Sequence, residues 1–265
     1  YSSATPPSRR GAAHPEYGLD AEVLRAAAEV QPRVVVVEEV PGWDPRGLAA
    51  GLAKLGYGVA YELVDFSEFG VPIARGRWIL VAHKGAQAGA AFKALYSLRE
   101  PPPRPVDALA GLPPEPCASD PCRWGGRLVY NHVASEVRSR LREVVPLIPP
   151  GYSLVEAHRA GIVDASKYVS KPENKHRYWM YRVPLDRPAK VVPHPRRSIM
   201  LHPIYPRMVT VRELARLMAF PDWFNFRPLA SLDAMYRAVA DSVPPKFSEK
   251  LAAALAAVLD GQRRS

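Results

Sequence analysis

Between Leu19 and Val30 the apolar residues Val23, Ala26, Ala27 and Val30 recur at helical spacing, with Asp20 placed early, where a carboxylate complements the helix dipole. Past Gln31-Pro32-Arg33 the pattern changes. Val34 to Val37 contains no polar residue, which predicts a strand buried on both faces, as in a parallel sheet. Asp44-Pro45 then offers an N-cap and a first-turn proline for a second helix, with Gly56 as its stop. Val59–Val64 and Trp78–Ala82 predict further strands. Strand, helix and strand at short spacing predict an α/β sheet with crossover helices.

The pattern breaks at Arg99. Glu100 to Cys122 is dense in proline and predicts an irregular crossing segment. Beyond it Glu136–Val145 predicts one helix, and short strand-like pieces and turns follow as far as Tyr205, which together suggest a second, smaller domain. Regularity returns at Thr210, where Glu213 three residues on completes a capping box ahead of Leu214, Leu217 and Met218. After Pro244-Pro245 a final helix carries Phe247, Leu251, Leu255 and Val258 as one stripe, with Gly261 as its stop. No internal repeat is visible.

Length and charge narrow the function. A chain of 265 residues can bury one good core, or one core with a smaller lobe. A net charge of +10 favours a polyanionic partner, because each phosphate neutralised by Lys or Arg releases a counterion. A generally basic protein is the plainer reading of the same number. No apolar run approaches the roughly 20 residues that span a bilayer, and no signal-peptide pattern opens the chain, so a cytoplasmic, nucleoid-associated protein is expected. Few side-chain amides beside 29 prolines is a balance seen in heat-adapted proteins. Cys117 and Cys122 alone cannot build a tetrahedral zinc site, so no metal is expected, while free thiols and a disulfide both stay open.

The chemistry lies in short motifs. Thr5-Pro6-Pro7-Ser8-Arg9-Arg10 is followed by Val37-Glu38-Glu39-Val40, then by Phe69-Gly70-Val71-Pro72-Ile73-Ala74-Arg75-Gly76-Arg77. Next come His202-Pro203 and the Thr210–Asp222 stretch, and last Tyr236-Arg237-Ala238-Val239-Ala240-Asp241-Ser242-Val243-Pro244-Pro245. In this order the motifs resemble those of the DNA (cytosine-5) methyltransferase family, whose nucleophile loop reads Pro-Pro-Cys and whose acidic strand end reads Glu-Asn-Val. Ser8 stands at the cysteine, Glu39 at the asparagine, Ile73 at a glutamine, and Ala240-Asp241 at Gly-Asn.

In that family a thiolate adds to cytosine carbon 6, a carboxylic acid acts on ring nitrogen 3, and carbon 5 then takes methyl from S-adenosylmethionine. The resemblance implies a catalytic set of Ser8, Glu38, Arg75 and Arg77. Glu38 is to act on the base with a raised pKa, and the arginines are to approach the flipped base and its phosphate. A hydroxyl needs an adjacent base to react, so Ser8 reads as an engineered Cys-to-Ser change or as natural loss of catalysis. Pro7, Asp241, Ser242 and Val243 are the remaining candidate cofactor contacts. Arg9, Arg10, Lys171, Lys175, Arg177, Arg182, Arg196 and Arg197 are candidates to grip duplex DNA, those from Lys171 on lying in a stretch interleaved with Tyr168, Tyr178, Trp179 and Tyr181. A solvated face over core aromatics is the bland reading of that stretch.

The expected fold is α/β, a partial Rossmann-like methyltransferase sheet. Residues 1–98 and 235–262 would form the incomplete catalytic domain and 99–234 the target-recognition domain. The family's glycine-rich cofactor loop has no match, so an upstream portion or companion chain is expected to supply it. The implied function is DNA methylation by base flipping, of the restriction-modification kind, in which the chain alone is inactive. A DNA-binding relative or regulatory subunit without chemistry is the alternative, and RNA as substrate also stays open.

Overall fold

The structure is a computed structural model describing residues 18–85, 88–175, 177–190, 194–227, 229 and 231–263. The chain folds as two units, one made of residues up to Phe69, Arg75–Glu100 and Phe247 onward, the other of Gly70–Ala74 and Pro101–Lys246.

In the first unit α1 spans Leu19–Val30 and ends on Gln31, which turns left-handed (φ 53°) and returns its N–H to the Ala27 carbonyl. Strand β1 (Val34–Glu39) follows, then α2 (Arg46–Lys54), whose start is held by the Asp44 carboxylate on the Arg46 N–H at 3.1 Å. Strand β2 (Tyr57–Asp65) leads through the short β3 (Ile73–Ala74), which belongs to the second unit, to β4 (Gly76–Lys84) and helix α3 (Ala88–Tyr96). The sheet order is β1-β4-β2, and β4 runs antiparallel to both neighbours. The parallel neighbour expected for β1 is therefore absent among the described residues. Its valines are half-exposed, Val36 at 42%, rather than buried on both faces.

Alternation along each strand sorts the sheet into two faces. Val35, Val37, Leu80, Ala82 and Tyr57 pack with Leu48 and Leu52 of α2 and with Ala27 of α1. The other face, which carries Glu38, Ile79 and Glu62, meets α3, where the Tyr96 hydroxyl donates to Glu62. Phe247 anchors the C-terminal helix against Phe66 and Phe69, with ring centroids at 4.4 and 5.3 Å.

The second unit is the larger and mostly irregular. Within the expected irregular crossing lies a short helix, α4 (Pro105–Leu109), which starts on proline, where no N–H partner is needed. Hairpin β5–β6 (Cys122–Trp124, Arg127–Val129) turns on Gly125 and Gly126 at φ 54° and 79°, values that glycine adopts without penalty. Cys117 and Cys122 form a disulfide. The helix expected over Glu136–Val145 shrinks to α5 (Ser139–Arg142) and a single 3-10 turn, since Pro146 and Pro149 close behind deny it N–H donors.

Helix α6 (Leu154–Arg159) opens on a capping box between Ser153 and Glu156, and β7 (Ala189–Lys190) pairs in parallel with β3. The Thr210–Glu213 capping box opens α7 (Val211–Leu217), which packs on α8 (Leu232–Asp241). The final helix α9 (Pro245–Arg263) runs through Gly261 instead of stopping there. Val144, Val145, Ile148, Leu154, Met180 and Leu201 lead the core of this unit.

Candidate functional site

Glu38 is the last residue but one of β1, opposite Ile79 of β4, and Arg77 lies two residues before Ile79 on the same face. Long side chains bridge such a diagonal. Arg77 Nε donates to Glu38 Oε1 at 2.9 Å, with side-chain exposures of 14% and 28%. Burial raises the Glu38 carboxyl above its usual value, Arg77 and then Arg75 pull it back in part, and Glu39 pushes it up again. Arg75 is buried, and its backbone is fixed by Asp65, whose Oδ1 accepts both the Arg75 and the Ser67 N–H. Glu39, at the asparagine position of the motif, folds back so that Oε2 accepts the Val40 N–H at 3.0 Å. Three of the expected catalytic residues thus share one corner of the first unit. Ser8 lies outside the described residues, as do Pro7, Arg9 and Arg10.

In the second unit the basic stretch divides. Lys175 lies over the Trp179 ring, its Nζ at 5.3 Å from the centroid, and together with Arg196 and Arg197 lines a cleft of about 490 Å³. Arg177 and Lys190 both turn to Glu156, at 3.4 and 3.0 Å. Burial works against the Glu156 charge, but these cations and the Ser153 N–H hold its carboxyl below the usual value. Lys171 is exposed in a left-handed conformation. Arg182 corrects the expectation outright. It is 5% exposed and donates to the carbonyls of Val145 and His202, so it ties the core together and offers nothing to a phosphate. Asp241 is exposed at the end of α8, and the Ser242 hydroxyl donates to the Val239 carbonyl at 2.8 Å.

Sequence reasoning missed a buried network behind the Thr210 helix. Glu213 is 1% exposed and takes both Arg207 nitrogens at 2.8 Å, with the Thr210 N–H at 2.7 Å. His132 bridges the Thr210 hydroxyl and the Pro113 carbonyl, and Arg212 donates to the carbonyls of Tyr130, Pro221 and Phe224. The capping box was the one sequence signal pointing to it. Among the described residues no group of histidine, cysteine or carboxylate side chains could hold a metal ion, and no helix is long and apolar enough to cross a membrane.

The first unit is thus a sheet covered by helices, with Glu38, Arg75 and Arg77 at one corner. A prophage-encoded E. coli protein described as a DNA modification methyltransferase has this fold, with a TM-score of 0.66 at 20% identity, over 89% of this chain and 72% of that one. The chain belongs to the C-5 cytosine-specific DNA methylase family, whose family model matches residues 1–257. It is 25% identical to the type II methyltransferase M1.HphI of Haemophilus parahaemolyticus over 96% of its own length and 65% of that protein. It is 24% identical to M.DdeI of Desulfomicrobium norvegicum over 90% of its length and 66% of the relative. A Methanocaldococcus jannaschii relative is matched over only 54% of its length, so the chain spans between about half and two thirds of these proteins.

Proposed function

We propose that this chain is the acid-bearing and DNA-gripping portion of a DNA cytosine-5 methyltransferase. It would act on a cytosine flipped from duplex DNA, inside the cell, together with an upstream portion or companion chain that carries the cofactor loop. Glu38 carries the reading. A half-buried carboxyl with a raised pKa donates a proton or hydrogen bond to cytosine ring nitrogen 3, which makes carbon 6 electrophilic. Arg77 aims that carboxyl and balances it once the proton has left. Pairing occupies the same base edge in a duplex, so the base must leave the stack to meet Glu38.

S-adenosylmethionine would supply the methyl group. Asp241, exposed at the end of α8, and Ser242, whose hydroxyl donates to Val239 and can still accept, would with Val243 be the contacts that this part of the chain offers it. The nucleophile position holds Ser8, a hydroxyl, which needs an adjacent base to react, and this favours the second reading, a DNA-binding relative without chemistry.

Covalent capture of duplex DNA containing 5-fluorocytosine, with S-adenosylmethionine and the family's cofactor-loop half added as a second polypeptide, separates the two. The Ser8→Cys variant is expected to capture DNA and the parent chain is not. Adding Glu38→Gln to Ser8→Cys should slow capture by about 10²–10⁴-fold, the usual worth of a positioned acid. DNA binding by Ser8→Cys without capture would leave the binding protein standing.

A further inference from the structure

The cleft in the second unit has features that phosphate gripping alone does not need. Arg138, Lys175, Trp179, Arg196, Arg197 and Ile199 wall it, and its volume of about 490 Å³ has room for one nucleotide. Trp179 is half-buried, packed on the core of the unit on one side and lining the cleft on the other, where the exposed Lys175 ammonium lies over the ring at 5.3 Å and can swing aside to admit a base. Arg196 is fixed in place by the Ser135 hydroxyl at 2.8 Å and by Asp233 at 3.4 Å. Arg138 and Arg197 are exposed and form no ion pair among the described residues. The acidic Glu136 on the same wall is neutralised by Arg142.

The backbone around the cleft is strained. Ile199 in the wall has φ 57°, Met180 beside Trp179 has φ 53°, and His194 close to Arg196 has φ 48°. A β-branched residue rarely adopts such a φ, and residues held this way cluster at ligand clamps, where the surrounding structure imposes the shape.

We propose that the Trp179 cleft holds one unstacked deoxynucleotide of the bound DNA, distinct from the target cytosine, with its base on the indole and its phosphate among Arg138, Arg196 and Arg197. A base within a duplex has both faces covered by its neighbours, so an indole can meet only a base that has left the stack. The inference rests on the DNA-binding reading above and adds a second extrusion site to it.

Fluorescence anisotropy of the full chain at one fixed salt concentration tests it with three duplexes: fully paired, with a single-nucleotide bulge, and with the same bulge made abasic. The parent chain is expected to bind the bulged duplex more tightly than the other two. Trp179→Ala should weaken binding to the bulged duplex by between about 5- and 150-fold, the range of base–aromatic stacking, and leave the paired duplex unchanged. If Trp179→Ala does not fold, Trp179→Leu, which keeps apolar volume without a stacking face, should lose the same preference. Arg197→Gln should weaken the bulged and abasic duplexes alike, since both keep the phosphate, and lower their salt slope by about 1. Equal binding of the three duplexes by the parent chain, or an undiminished bulge preference in the folded Trp179 variants, overturns the proposal while DNA binding itself stands. No DNA binding at all would remove both readings, and tighter binding to a bulged RNA duplex would overturn the deoxynucleotide assignment.

Discussion

In the first unit Arg77 Nε donates to Glu38 at 2.9 Å, whereas in the second Glu213 takes both terminal nitrogens of Arg207, each at 2.8 Å, and the Thr210 N–H as well. Burial acts against the charge of both carboxyls. It prevails at Glu38, whose pKa is raised, and is overcome at Glu213, where the Arg207 and Thr210 donors hold the carboxyl below its usual value. The Arg207 fork and the Thr210 N–H, aimed together at the ionised form, are what offset burial at Glu213. Glu213 is a fixed anion that organises its unit, whereas the Glu38 carboxyl holds its proton to a higher pH than an ordinary glutamate does.

The largest expected effect that tests this difference is on Glu213. Glu213→Gln removes the anion but leaves Arg207 only 12% exposed and without its carboxylate, a change that costs about 3–5 kcal/mol at buried pairs. Urea denaturation at neutral pH measures it. A loss below about 1 kcal/mol would place Glu213 in the same class as Glu38 and break the comparison.

Acid should produce the next effect. Burial pushes His202 down to about 4 despite the nearby Glu213, and its Nδ1 accepts the N–H groups of Ile204 and Tyr205 at 3.0 Å each, which needs the neutral ring. The unfolded chain therefore binds the proton first. Stability is full above about 6.5 and is lost as the pH falls toward 4, by on the order of 3 kcal/mol, with the lowered Glu213 adding loss of the same sign below that. The urea midpoint followed from pH 7 to pH 4 should trace this slope, and His202→Asn, which keeps an acceptor for the two N–H groups, should flatten it. An unchanged slope would mean that other groups govern the acid transition.

What the sequence made legible follows the range of the interactions involved. Helix α1, the β2 and β4 strands and the Thr210–Glu213 box were readable because spacing and caps are local. Direction was not: a run of four valines looks the same in a parallel or an antiparallel setting, and its partner β4 lies some forty residues on. Arg182 looked like any other member of a basic stretch. Only Val145 and His202, brought from far along the chain, make it a core residue. The Glu38 corner was reachable through its motifs, since Arg75-Gly76-Arg77 sets two arginines on a strand start. Nothing in the letters of Ile199 announces a left-handed backbone, so the shape of the Trp179 cleft was out of reach.

The smallest expected effect sharpens the comparison most, because its sign is opposite to that at Glu213. A carboxyl raised in the fold binds its proton more tightly there than in the unfolded chain, so its contribution is full below the unfolded value and is lost as pH rises through the folded one. Gln at position 38 never ionises, and its carbonyl can still accept from Arg77 Nε, while Arg77 Nη1 keeps its bond to the Gly76 carbonyl at 2.8 Å. Glu38→Gln should therefore match the parent in urea at pH 4 and equal or slightly exceed it at pH 7, by no more than about 1 kcal/mol, even as the same change slows capture in the Ser8→Cys background. A variant less stable than the parent by more than that at pH 7 would mean that ionised Glu38 holds the sheet corner together as Glu213 holds its helix. The raised carboxyl would then lose its claim to be an acid set aside for chemistry.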